Sequence, residues 1–299
     1  MRTLVLFLCG IAVTPVVHGQ RTAYMTHNRL LDSASALMSN ARYAEAIPVY
    51  EHAFVLMPWC PGAYFNPVLA CLSIGDAERA NHFLSMGVQH GFMPQLFYDS
   101  LLNVHWASQA SKPFRDRWYQ DMLVFAAGAD SNLITVLDSM VEVDQDHRSN
   151  IHDPILMHQV DSSNFEKLIA ICKKQGFPSA RIIGHGIGDV FLLLWHHRSP
   201  EYPVSPQWQR VLPYIHAAIN AEDLDPAYLC MFADFSDQDA GRPMRFGALL
   251  SYFGQYPEKL YFVPRAELNK NRASVGWGSI ADFARSVGVD LSTVRFAEP

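Results

Sequence analysis

The sequence predicts a mainly α-helical protein, with helical hairpins followed by a helical domain that carries a small β-hairpin. Three observations support this expectation. Small and aromatic residues repeat at one fixed interval between residues 43 and 87. Apolar residues recur at helical spacing further on, as at Phe165, Leu168, Ile169 and Cys172. Helix signals punctuate the second half, among them Ser205-Pro206 as a start and Gly176 with Pro178 beyond it as a stop. The 299 residues are 49% hydrophobic and 17% charged, enough for one large domain or two ordinary ones with a real core.

In chain order, residues 1–19 come first, with Arg2, an apolar run from Leu4 to Val13, Pro15, and Val17-His18-Gly19 before Gln20. That is the plan of a secretory signal, and its apolar run is too short to span a bilayer comfortably. The mature chain is therefore expected to be exported, periplasmic or extracellular, with no membrane span once the signal is cleaved. Export permits disulfides among Cys60, Cys71, Cys172 and Cys230, but spacing alone cannot choose between the pairings or exclude free thiols.

Residues 20–130 form the first region. Ala46 and Ala80 stand 34 residues apart, and Tyr43, Tyr50 and Ala53 correspond in order to Ala77, Leu84 and Gly87. Small residues at Ala46/Ala80 and Ala53/Gly87 let paired helices approach closely. Pro58 closes a helix, and Pro67 is expected to kink or shorten the next. The spacing resembles a pair of tetratricopeptide repeats. Two repeats leave an open end, so helices over 96–104, 114–127 and 132–143 are expected to cover it. Protein or peptide binding through these repeats is the partner the region suggests.

Residues 131–299 form the second region. A capping box from Ser163 to Glu166 opens one predicted helix, and a second is expected over 185–198. A third starts at Ser205-Pro206 with Trp208, Leu212, Ile215 and Ile219 on one face. A short helix follows Pro226, a hairpin is expected within 245–263, and a last helix covers 279–287.

Several chemistries are excluded. The net charge of -6 has no basic block, so nucleic acid has no electrostatic footprint. "GHGIGD" has Asp189 where a dinucleotide loop needs glycine, and no Gly-Lys-Ser/Thr follows. No cofactor is implied. "DFSDQDAG", residues 234–241, lacks the acidic twelfth position of a calcium loop and is expected to be a turn. His185 and Asp189, four residues apart, could supply half of a metal site. His196 lies roughly 16 Å further along a helix axis, too far to share that ion. Asp144 and Arg148 have the spacing of a helical ion pair.

Taken in order, "VDQDHR", "VDSSNFEKL", "QGFP", "VFLLLWHHRSPEY", "FAD", "RFG" and "NRASVG" resemble an uncharacterised domain of secreted bacterial proteins, a domain of unknown function often preceded by tetratricopeptide repeats. The resemblance runs from about Leu137 to Val287. It marks Asp144, Gln145 and Arg148, then Gly176-Phe177-Pro178, His196, Asp234, Arg272 and Gly276. Trp195, Phe235, Met244 and Leu249 stand where the pattern has polar residues. It implies an architecture and a candidate pocket, with no activity attached.

Two functions follow. One is a binding scaffold for protein or an envelope component. The other is a hydrolase-like enzyme whose pocket gathers Asp144, Arg148, His196, Asp234 and Arg272. In the second, His196 is the general acid or base, Asp234 or Asp144 orients it, and Arg272 holds an anionic group.

Overall fold

The computed structural model describes residues 22–94, 99–151 and 153–298. The signal-like segment 1–19 lies outside them. The fold is mainly helical, as expected.

The first region begins with two consecutive helical hairpins. The first pairs α1 (Thr22–Ser39) with α2 (Tyr43–Leu56), and the second pairs α3 (Phe65–Ser73) with α4 (Ala77–Gln89). Ala46, Ala53 and Ala80 are fully buried where these helices meet. A side chain at Gly87 would strike Tyr64 and Phe92, so the small residue there is a steric requirement. Pro67 sits in the first turn of α3, where its missing N–H costs nothing, and residues 61–64 before it form a single 3-10 turn. An aromatic core of Tyr50, Phe54, Tyr64, Phe83, Phe92 and Phe114 fills the region, with Phe54 and Tyr64 stacked at 4.0 Å. Next come α5 (Ser100–Ala107), capped by Asp99, and α6 (Lys112–Gly128). The start of the helix expected over 96–104 falls within 95–98, outside the described residues.

Next are α7 (Ser131–Asp146) and α8 (Pro154–Gln175). The latter begins earlier than the capping box predicted. Asp153 accepts hydrogen bonds from the amides of Ile155 and Leu156, and Pro154 occupies the first helical position. Ser163 is therefore internal, and Glu166 pairs with Arg210 at 2.6 Å instead of reaching back. The helix expected over 185–198 opens as a 3-10 turn, continues as α-helix and ends at Trp195. A short α9 (Ala180–Ile183) leads into a 3-10 turn at Gly184–Gly186 and then α10 (Ile187–Trp195). The break between α9 and that turn has a packing cause. A Cβ on Gly184 would lie 2.8 Å from Gly91 Cα, and the His185 amide donates to the Gly91 carbonyl at 3.1 Å.

Ser205 precedes α11 (Pro206–Asn220), which buries Trp208, Leu212, Ile215 and Ile219 as its periodicity requires. Residues 234–239, expected as part of a turn, lie in α12 (Tyr228–Asp239). Asp234 and Asp237 are both buried there, and a helix satisfies the backbone that a buried turn would leave exposed.

The span 245–263 contributes one strand, not two. Leu250–Phe253 is a helical turn (α13), and β1 (Tyr261–Phe262) pairs in parallel with β2 (Arg295–Phe296). The β element thus joins the span to the C-terminal segment. Between the strands lie α14 (Arg265–Ala273) and α15 (Ile280–Ser286), the latter capped by Ser279. All four described cysteines are free thiols.

Helix α1 belongs to the first core yet also reaches the second region. Asn28 donates to Asp225 at 3.1 Å and to the Val275 carbonyl at 3.0 Å. Gly276 lies so close to the Met25 backbone that a Cβ there would come within 2.6 Å of Met25 Cα.

Candidate functional site

The structure sorts the five candidate catalytic residues into two groups. Asp144, Arg148 and His196 form one, and Asp234 and Arg272 belong to the other. No hydrogen bond or ion pair among the described residues joins the groups, and the cavity that Arg272 lines is not lined by Asp144, Arg148 or His196.

The first group sits where the C-terminal ends of α7 and α10 meet the middle of α8. Asp144 is 1% exposed, and Arg148 lies one turn on, 3.3 Å from it. Arg148 also donates to Asp161 of α8, which sequence reasoning missed. Nδ1 of His196 approaches Asp144 at 3.0 Å and Asp161 at 3.7 Å. That nitrogen is buried and poorly directed for a hydrogen bond. Burial pushes the His196 pKa below its ordinary value, and the two carboxylates only partly oppose this. Asp144, Asp161 and His196 each offer a ligand atom within 4.8 Å of the others, a set a divalent cation could use. Arg148 already spans both carboxylates and supplies the compensating charge. His185 and Asp189, by contrast, join no cluster of three potential ligands among the described residues. His185 lies in the 3-10 turn that leads into α10, and Asp189 in the first turn of α10.

The second group is built around a buried arginine. Asp234 is fully buried on α12, and its carboxylate accepts the backbone amides of Arg245, Phe246 and Ala248 at 2.8, 2.9 and 2.7 Å. Burial pushes its pKa up to about 7 against the pull of those three donors. The loop so fixed presents the Phe246 carbonyl to Arg272 Nη1 at 3.0 Å, while Arg272 Nε donates to the Gly278 carbonyl at 2.7 Å. Trp277 and Phe283 flank the guanidinium at 5.1 and 4.9 Å. Asp234 is thus a positioning residue for the wall that holds Arg272.

Arg272 is only 2% exposed, yet its Nη2 makes no hydrogen bond. Its carboxylate neighbour is Asp32 of α1, 3.9 Å away. Asp32 itself accepts the Gly278 amide. These groups line a cavity of about 290 Å³, whose remaining wall includes Phe191, Tyr228, Met231 and Trp277. The hydroxyl of Tyr228 is buried without a hydrogen-bond partner. Asp32 was not visible as a site residue in the sequence, because nothing near it in the chain marks its role.

A more open groove of about 560 Å³ runs between α4 and α6 in the first region, lined by Asn81, His82, Gln89, Phe114 and Arg117 among others. No single helix among the described residues is long and apolar enough to cross a membrane.

No protein-family model, curated protein or solved structure matches this chain.

Proposed function

We propose that the protein is an exported binding scaffold that holds a carboxylate-bearing apolar ligand in the cavity at Arg272. One observation carries this reading: a guanidinium that is 2% exposed keeps one nitrogen without a direct hydrogen bond, facing a largely apolar cavity. That nitrogen is a free charged donor at the cavity, and an incoming carboxylate would pair it in a charge-assisted bond. The volume, about 290 Å³, sits at the small end of ligand sites. The leader-like residues 1–19 support an exported setting. The open groove between α4 and α6 supports a further contact with protein or peptide.

The first group is less suited to catalysis. Its charges answer one another, and Arg148 covers both carboxylates. Trp195 and Phe235, two of the apolar replacements in the resembled pattern, pack together with ring centroids 4.0 Å apart. Met244 and Leu249 are buried in the same core, where polar residues would leave hydrogen-bonding groups unsatisfied.

Thermal denaturation against a panel of small apolar carboxylates, with and without an α-ammonium group, tests the reading. At least one compound should raise the melting temperature of the wild type and leave Met231→Trp unmoved, since the larger ring fills the cavity. If no compound shifts the wild type, or the shift persists unchanged in Met231→Trp, the cavity is not the ligand site.

A further inference from the structure

The cavity carries two opposite charges. Arg272 and Asp32 face one another at 3.9 Å, close enough to attract and too far to hydrogen-bond. They come from distant parts of the chain, Arg272 from α14 and Asp32 from α1. Each is fixed by other bonds: Arg272 by the carbonyls of Phe246 and Gly278, Asp32 by the amide of Gly278. Residue 278 therefore ties the two together through its backbone, its carbonyl on the cation and its amide on the anion. The separation of the charges is set by the fold.

Such a pair is a poor receptor for a simple anion. A lone carboxylate on Arg272 would bring its charge toward Asp32, and like charges so close repel. It is equally poor for a simple cation. A ligand that presents both charges on neighbouring atoms satisfies both partners and adds no net charge to the cavity. The rest of the wall is apolar and aromatic, with Phe191, Met231, Trp277 and Phe283 around one small volume.

We propose that the cavity binds a free α-amino acid with an apolar side chain, its carboxylate on Arg272, its ammonium on Asp32 and its side chain against the aromatic wall. This rests on the reading of the cavity as the ligand site, and it goes further by requiring both charges. A zwitterion with an apolar side chain matches the site in charge, spacing and volume.

Isothermal titration of the full chain with four compounds tests it: L-phenylalanine, N-acetyl-L-phenylalanine, L-phenylalanine amide and glycine. Phenylalanine should bind. The N-acetyl compound lacks the ammonium and the amide lacks the carboxylate, so each should bind at least tenfold more weakly. Glycine, without an apolar side chain, should also be at least tenfold weaker. Asp32→Asn should bring the affinity for phenylalanine down toward that for the N-acetyl compound, while Arg272→Lys should weaken both. If a variant fails to fold, the four-compound series on the wild type still decides. If the N-acetyl compound binds as tightly as phenylalanine, the zwitterion proposal falls and the cavity remains a carboxylate site. If none of the compounds binds and the wider carboxylate panel also fails, both readings fall.

Discussion

At the scale of single residues, burial moves histidines and carboxyls in opposite directions along the pH axis. His27 is fully buried beside Phe54, with its Nδ1 donating to the Ala53 carbonyl at 2.9 Å. Burial holds its pKa below the ordinary value of 6.5. The unfolded chain therefore takes up a proton that the folded chain refuses. His27's contribution to stability is intact above about pH 6.5 and is lost as pH falls below it. His27→Gln should flatten that acid limb, and unfolding near pH 5.5 should consume about one proton fewer. Calorimetry in buffers of different ionisation enthalpy measures the proton count, and an unchanged count would show that His27 titrates normally. Asp189 has the opposite sign. Burial and the nearby Asp138 raise its pKa from 3.8 to about 6. The folded chain keeps a proton there that the unfolded chain has lost, so stability falls as pH rises through that window and stays lower above it. A full two-unit shift corresponds to roughly 3 kcal/mol. Because the side chain is only partly buried, solvent screening reduces this to about 1 kcal/mol. Asp189→Asn should therefore stabilise by about that amount at pH 7.5 and by nothing at pH 4, as read from urea midpoints at both pH values. The sequence brought Asp189 forward as a metal ligand, because spacing suggests a shared face but not whether further ligands converge on it. Asp161 and Asp32 stayed hidden for a related reason. Their partners lie 13 and 246 residues away, so no local pattern announces them.

At the scale of elements, the break between α9 and α10 is where backbone geometry overrides periodicity. Gly91 and Gly184 both have positive φ, at +84° and +54°, and they meet backbone to backbone with Phe125 over the contact. Gly91→Ala adds left-handed strain of about 1–2 kcal/mol and drives a methyl into Gly184. The total loss should exceed about 3 kcal/mol, in line with overpacked sites. Gly75 is the control. Its φ is +77°, but nothing lies within 4 Å of a Cβ there, so Gly75→Ala should cost only the strain, about 1 kcal/mol. Equal losses in the two variants, measured by urea denaturation, would remove the packing argument. Elements whose boundaries are local chemistry were legible. Ser205-Pro206 marks the start of α11, Gly176 ends α8, and Ser279 caps α15. Elements set by distant packing were not. The 3-10 turn at 184–186 exists because Gly91 presses on it. The expected hairpin is replaced by a parallel pair because the partner of β1 arrives from residues 295–296. The early start of α8 was written in Asp153-Pro154, but Ser163–Glu166 carries an equally good local signature, and only the tertiary contacts choose between them.

At the scale of the whole molecule, the two regions read from the sequence, 20–130 and 131–299, are locked by contacts that neither can satisfy alone. Gly91 meets Gly184, Gly276 meets Met25, and the Asp130 amide donates to the Ile182 carbonyl at 3.0 Å. Asn28 lies among these contacts. It is 5% exposed, and its amide nitrogen bonds both Asp225 and the Val275 carbonyl. Burial already raises Asp225 to about 6, and the Asn28 donor is one of the two hydrogen bonds that hold it down. Asn28→Ala would leave a buried carboxylate and a carbonyl short of a donor, at a cost of about 1–3 kcal/mol. Because α1 is part of the first core and also one wall of the Arg272 cavity, that loss should be felt by both regions together. Circular dichroism and tryptophan fluorescence should report one coincident unfolding transition in the wild type, and one coincident transition at lower denaturant in Asn28→Ala. Trp106 and Trp118 report on the first region, and Trp195, Trp208 and Trp277 on the second. If the fluorescence change splits into two steps in either protein, the regions fold independently, and the cavity between α1 and α14 is a contact between separate domains with freedom to open.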